Sequence, residues 1–320
     1  MRPQLFRWFS GIAGLVLLGW LVQRAGTEEI AAAFLRIDPA WLLIWLALFF
    51  AVAFGIAWRW SLLVRALGMD VRVRDLLAMW FCGVTVGSAT AGAKLGGDPL
   101  RAWLLARKVQ DGSTGRAIAS VIADRGIELT VNLIFAIGYC MAFALGDPEL
   151  ADDMLRAVLA IAVLQVLLVA FLVARLKARR SLVPMRFGAV FGRFPAGAVA
   201  LGDAEAALRE LLFDRRSQAL RAVAAATLVN ALVLVEFAVA FRVFGAAPDF
   251  PQLAGSIMGV GLAHAIPVPG SVGTLEGAQA IVFGVGGGTA TLAVIAAIVA
   301  RMRDIVRAIP GAVLLLFRRF

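Results

Sequence analysis

The chain contains one histidine, one tyrosine and two cysteines among 320 residues. Each shortage excludes a chemistry. A metal site needs three or four clustered ligands. The lone His264 has no such neighbours, and neither HExxH nor CxxC occurs. No Ser/Cys–His pair and no glycine-rich nucleotide loop stands out, so neither a covalent hydrolase nor an ATP-driven machine is indicated. Cys82 and Cys140 lie apart in apolar segments and read as inert packing residues. Charge is scarce as well: 16% of residues are charged against 62% hydrophobic, with mean hydropathy +0.89. A soluble domain does not have this composition. The apolar residues come in long runs, which excludes the short alternating segments of a β-barrel.

What remains is an all-α integral membrane protein. The net charge of +10 would suggest nucleic acid in a soluble protein. In a membrane protein it reads as arginine-rich cytoplasmic loops and attraction to anionic lipid, with no nucleic-acid partner. Six runs are long enough to span a hydrocarbon core of about 30 Å: about 6–22, 41–64, 117–145, 154–174, 221–245 and 289–316. The N-terminal run has a basic start and an apolar core but no small-x-small cleavage site before QRAGTEE, so it reads as an uncleaved first span. Stretches 65–116 and 175–220 are arginine-rich and read as cytoplasmic. GDPELADD and GAAPDFPQ lack Lys and Arg and read as external. Both termini then lie in the cytoplasm, and the expected location is the inner membrane. Within the basic loop of about 175–220, the segment 195–219 reads as an amphipathic surface helix with Leu201, Ala204, Leu208, Leu211 and Leu212 on one face.

Two further apolar stretches, 76–99 and 253–286, are interrupted by small residues, Gly and Pro. A single crossing by either would reverse every later loop. The charge pattern holds if each enters and leaves on the same side, the first from the cytoplasm and the second from outside. The candidate breaks are Gly96 and Gly97 in the first, and Pro267, Pro269, Gly270 and Gly273 in the second. Broken backbone at membrane depth requires surrounding protein or a water-filled cavity. The order span, span, re-entrant segment, span fills about 1–145 and recurs in about 146–320 from the opposite side. That is an inverted-topology repeat within a single membrane domain, 1–320, and the broken segments mark the substrate site.

Charges inside the spans are expensive. Asp124, Arg125 and Glu128 would together cost roughly 8–10 kcal/mol unpaired, at about 2.5–3.5 each. Arg125 and Glu128 stand at i,i+3 and can pair. A cytoplasmic extension of the helix over 117–128 is the bland alternative. In the last span Arg301, Arg303, Asp304 and Arg307 interrupt a run that would be about 42 Å long as a helix, and neither half is long enough to cross alone. Arg301, Asp304 and Arg307 share a face whose net positive charge suits a phosphate-bearing headgroup. Pro310 is expected to kink this helix. Asp98 before Pro99 resembles an N-cap opening a helix over 99–108, with Arg101 in its first turn. Glu276 could cap the helix after Gly273 or pair with an arginine of the last span, and both readings stay open. His264 reads as a helix-terminal or pore-lining histidine. Glu236 and Arg59 are further candidates, although Arg59 could simply snorkel to the interface.

The segments GGDPLRAWLLARK, AIASVIADRGIEL and PVPGSVGTLEG, followed by Arg301 to Arg307, resemble the flippase-like membrane family. That family includes the membrane region of lysylphosphatidylglycerol synthases and related hopanoid-associated and dolichol-linked membrane proteins. Its pattern is carried here by Gly96, Gly97, Arg101 and Ala102, by Ala119, Ser120, Val121, Asp124, Arg125, Glu128 and Leu129, and by Pro267, Pro269, Gly270, Gly273, Glu276 and Gly277. Ser271 stands where the family usually has a second glycine. The resemblance implies movement of a lipid between leaflets. It does not imply the synthase activity, which resides in a separate soluble domain of the bifunctional members. The expected substrate-binding residues are Arg101, Asp124, Arg125, Glu128, Glu276, Arg301, Asp304 and Arg307. No catalytic residue, metal or cofactor is expected. The expected partners are a lipid with an anionic headgroup and the bilayer, with a homo-oligomer or a lipid-biosynthesis partner left open. Two other functions stay in view: a membrane-embedded enzyme using Asp124 or Glu128 as a base on a lipid phosphate or glycolipid, and an accessory subunit of an envelope lipid assembly.

Overall fold

The computed structural model describes residues 37–89, 97–109, 114–144, 148–180, 195–266, 271, 273–285 and 288–317. The predicted span 6–22, Gly96, Pro267, Pro269 and Gly270 lie outside the described residues. The described residues form α-helices: α1 Pro39–Ala66, α2 Val73–Ala89, α3 Gly97–Val109, α4 Thr114–Ala144, α5 Pro148–Lys177, α6 Pro195–Arg209, α7 Arg216–Val243, α8 Phe250–Ala265, α9 Thr274–Val285 and α10 Ala290–Phe317. A single π-helical turn, Glu210–Asp214, links α6 to α7.

Among the described residues, four helices are long and apolar enough to cross a membrane: Pro39–Ala66, Thr114–Phe143, Val158–Lys177 and Arg216–Val243. The helix α10 fills the range expected for a sixth span, but its charged cluster keeps it out of that group. It runs unbroken through Pro310, where the Thr85 hydroxyl donates to the Ala308 carbonyl at 2.8 Å. Here α2 and α10 meet closely, for a Cβ on Gly311 would run into the Phe81 carbonyl and Thr85. The side chains of Leu164, Val166, Leu167 and Phe171 on α5 are exposed, as expected of a helix that faces lipid.

Helix starts follow local chemistry. The Asp38 carboxylate caps α1 through the Ala40 amide at 2.8 Å, with Pro39 in the first turn. Asp249 and Gln252 form a reciprocal capping box at the start of α8. The two interrupted stretches each become two helices packed on one another, α2 on α3 and α8 on α9. In the first, Gly97 abuts the Gly83 carbonyl, so any side chain at 97 would collide with backbone. In the second, the Ser256 hydroxyl donates to the Gln279 side-chain carbonyl at 2.7 Å, and the Gln279 amide returns a bond to the Ser256 carbonyl at 3.1 Å.

The long helices α1 and α7 pack antiparallel. The Asp38 amide at the start of α1 donates to the Val243 carbonyl at the end of α7, 3.2 Å away, and further along Trp45 meets Glu236 and Gly55 meets Val229. Around this pair, α2 packs on α10 and α8 packs on α4, while α3 adjoins α4 and α9 adjoins α10. One core cluster gathers Trp60, Leu76, Leu105 and Ala119; a second gathers Trp45, Phe49, Phe241 and Phe283.

The structure corrects the reading of 195–219. This stretch is not one surface helix: α6 ends at Arg209, the π turn follows, and α7 begins at Arg216. Ala204, Leu208 and Leu211 are buried in the first core cluster rather than laid on the membrane surface. Leu212, assigned to the same face, is exposed. The apolar stripe found a protein partner in α4, where Gly115 lies close against Asp203 and the Ala200 carbonyl.

Candidate functional site

Two clusters of buried charge lie among the helices. The first joins α1, α3 and α4. Asp124 of α4 is fully buried and accepts from two guanidiniums, Nε of Arg59 at 2.8 Å and an Nη of Arg101 at 2.8 Å. Arg59 is 1% exposed and reaches on to Glu128 at 3.3 Å. Arg125 pairs with Glu128 at 3.2 Å, the i,i+3 contact expected from spacing, and with Asp98 at 3.5 Å. Asp98 also meets Arg101 at 3.2 Å. The guanidinium of Arg101 lies 4.2 Å from the centre of the Trp60 ring, a cation–π contact.

Two sequence expectations change here. Arg59 does not snorkel; it shares Asp124 with Arg101. The helix expected over 99–108 runs over Gly97–Val109, with Asp98 inside its first turn and its carboxylate on Arg101 and Arg125.

The second cluster joins α7, α8, α9 and α10. Glu236 of α7 is fully buried and holds Arg303 in a two-point pair, at 2.7 and 2.5 Å. The Trp45 indole donates to the same carboxylate at 3.1 Å. The Arg303 guanidinium sits 4.0 Å from the centre of the Phe237 ring. Arg301 makes its own two-point pair with Glu276, at 2.7 and 3.0 Å, and an Nη donates to the Ser271 carbonyl at 3.0 Å. His264 and Asp304 approach to 3.3 Å. The net positive face expected from Arg301, Asp304 and Arg307 is therefore corrected: carboxylates from α7 and α9 balance the arginines of α10.

Arg307 differs from the others. Its Nε, like that of Arg101, is buried with no hydrogen-bond partner, but the other nitrogens of Arg101 are tied to Asp98 and Asp124, while among the described residues no ion pair holds Arg307. The group lies within Coulombic reach of Glu236 and Asp304 in the second cluster and of Glu128 in the first. A polar line can be followed from Asp98 near the first break through Arg125, Glu128, Arg307 and Asp304 to His264 near the second.

Both readings of Glu276 hold together. Its carboxylate accepts from the Gly273 amide at 2.9 Å, capping α9, while it pairs with Arg301. Arg301 thereby ties Ser271 to the first turn of α9. Ser271 has φ +49°, the left-handed region that disfavours a side chain. This is the position where the family usually carries glycine. Ser271→Gly keeps the carbonyl that Arg301 uses and removes the strain. It should raise stability by about 0.5–1 kcal/mol, the left-handed penalty less the entropy of glycine, measured by thermal unfolding in detergent.

Sequence reasoning underrated Arg303, grouped with the charges of the last span but not with its binding face. The signal was Glu236: an acid deep in an apolar span demands a cationic partner, and α10 supplies the arginines.

The helices and their enclosed charge define a helical integral membrane protein. More narrowly, the chain belongs to the family described as Lysylphosphatidylglycerol synthase TM region, which residues 7–311 match. It is similar to a UPF0104 membrane protein of Methanothermobacter thermautotrophicus, 33% identical over 126 residues, covering 39% of this chain and 37% of that protein. A UPF0104 membrane protein of Pyrococcus horikoshii is 25% identical over 121 residues, covering 38% and 35%. One from Methanocaldococcus jannaschii is 22% identical over 117 residues, covering 36% and 34%. The match thus spans about a third of each relative's length. No solved structure matches the chain.

Proposed function

We propose that this protein is a flippase-like transporter that moves a lipid with an anionic headgroup between the leaflets of the inner membrane. The observation that carries the reading is Arg307, a buried guanidinium with an unused Nε donor between two clusters of paired charge. A guanidinium seeks oxyanions, and a headgroup phosphate supplies them. The other expected substrate-binding residues, Arg101, Asp124, Arg125, Glu128, Glu276, Arg301 and Asp304, hold the walls in register and pass the headgroup along. Asp124 does not suit the role of an enzymatic base, for both its oxygens are taken by guanidiniums. The transport reading is favoured for that reason.

The reading includes an architecture: six spans and two re-entrant hairpins in one membrane domain, with inverted repeats of about 1–145 and 146–320. The basic loop of about 175–220 and both termini face the cytoplasm. The packing supports it. Exchanging α1 with α7, α2 with α8, α3 with α9 and α4 with α10 carries the contacts of one half onto those of the other, and α1 and α7 run antiparallel. A two-fold axis in the membrane plane produces that relation.

Arg307→Gln tests the substrate role. Loss of a charge-assisted hydrogen bond worth about 1.5–3 kcal/mol should slow inversion of a fluorescent anionic phospholipid in proteoliposomes about tenfold to a hundredfold. Thermal unfolding should stay near that of the unsubstituted protein. An unchanged inversion rate removes Arg307 from the site, and a change in the mass of the recovered lipid would mark an enzyme instead.

A further inference from the structure

We propose that His264 and Asp304 form a proton-binding site and that one proton travels with each anionic headgroup. The proposal rests on the transport reading above and adds its driving force.

The argument begins with hydrogen-bond roles. Nδ1 of His264 lies 2.8 Å from the Val260 carbonyl, which can only accept, so Nδ1 carries a hydrogen. Nε2 lies 3.3 Å from Oδ2 of Asp304. A neutral ring with its hydrogen on Nδ1 would point the Nε2 lone pair at a carboxylate oxygen, which repels it. The contact is attractive only with one more proton, on Nε2 or on Oδ2. The geometry is that of a pair with a proton in the bond, and both side chains are 28% exposed, open enough for a proton to come and go.

The charges around the pair give that proton a consequence. On α10, Arg303 and Arg307 act on Asp304 through space. Arg301 of α10 is paired with Glu276 of α9, and Arg303 with Glu236 of α7. On α4, which packs along α8, Arg125 faces Glu128, Asp124 faces Arg59 and Arg101, and the titratable Tyr139 and Cys140 sit in the apolar cluster with Met258. With the His264 ring neutral, the arginines at 301, 303 and 307 balance the carboxylates at 236, 276 and 304. Protonation adds one positive charge, which a phosphate monoanion on Arg307 cancels.

Proton and headgroup therefore favour each other's binding, and the coupling is reciprocal. A proton taken from water on one side forms the Nε2–H bond. It leaves on the other side once the headgroup has gone and the lone pair is bared. The net movement is one monoanion and one proton, with no charge transferred.

Two measurements test the proposal and separate it from the transport reading. In proteoliposomes holding a pH-sensitive dye and a fluorescent phosphatidylglycerol, a proton gradient should speed lipid inversion several-fold, and proton entry should accompany it. His264→Gln and Asp304→Asn should abolish the response to the gradient. Inversion that ignores the gradient in the unsubstituted protein overturns the coupling.

Should no lipid move at all, the transport reading fails, and the proton site is judged separately by nitrogen NMR. The single histidine of the chain gives one ring signal set, provided the purification tag adds none. Above the pH range in which an ordinary imidazole is protonated, both ring nitrogens should still carry hydrogen or share one proton with Asp304. In Asp304→Asn only Nδ1 should carry hydrogen. A neutral ring in both proteins overturns the site.

Discussion

Asp124→Asn is expected to destabilise the protein by about 3–5 kcal/mol, the cost of leaving buried charge without its partner. The effect is large because one carboxylate serves two arginines. Arg59 and Arg101 each reach an Asp124 oxygen at 2.8 Å, and the three side chains are 1%, 5% and 0% exposed. An amide keeps the shape but supplies only one acceptor oxygen and no charge. Arg59 retains Glu128 and Arg101 retains Asp98, so the network should loosen rather than vanish. Adding Arg59→Met to Asp124→Asn should recover part of the loss, since it removes one of the stranded cations. Denaturant titration in detergent micelles measures both. An Asp124→Asn midpoint equal to that of the unsubstituted protein would show that the pairs contribute nothing to stability.

The sequence made the helices legible because hydropathy and length suffice for them. Spans expected at 41–64, 117–145 and 221–245 became α1, α4 and α7 with shifts of a few residues. The interrupted stretches became pairs of helices because glycine and proline disfavour a continuous helix at those places. Partner choice was less legible. The Arg125–Glu128 contact follows from i,i+3 spacing, but Arg59–Asp124 spans 65 positions and Arg303–Glu236 spans 67. Only packing decides such pairs. For the same reason a local count on α10 gave a positive face, while the compensating acids arrive from α7 and α9. The α6 stripe was read correctly as amphipathic and wrongly as surface, because an apolar face does not say whether lipid or protein covers it.

The two clusters also correspond in a way no local pattern shows. In α1 and α7, the helices that the proposed repeat would relate, Arg59 and Glu236 stand the same number of residues from the helix start. Each pairs with the helix that closes its half, Arg59 with Asp124 of α4 and Glu236 with Arg303 of α10. The second helix of each hairpin joins in, Arg101 to Asp124 and Glu276 to Arg301. For Arg59 and Glu236 the position is kept while the sign is reversed. An ion pair needs one charge of each kind but does not care which side contributes which. Under the proposed repeat, the signs could be exchanged without losing the bond, and residue identity between the halves would fade while the contact persists.

The Glu236–Arg303 pair allows structural and transport roles to be separated. Glu236→Leu alone should cost about 3–5 kcal/mol, because Arg303 would then lie buried without its counter-charge. Combining it with Arg303→Met should return stability to within about 2 kcal/mol of the unsubstituted protein, since an apolar pair of similar volume replaces a desolvated one. Methionine suits the site because its thioether can rest on the Phe237 ring where the guanidinium lay. The residual loss comes from Trp45, whose indole would lose its acceptor at a cost of about 1–3 kcal/mol. The double substitution leaves the charge balance around Arg307 unaltered, so lipid inversion should survive it while each single substitution lowers it. Recovered stability without recovered inversion would move Glu236 and Arg303 from the frame of the site into the path of the headgroup.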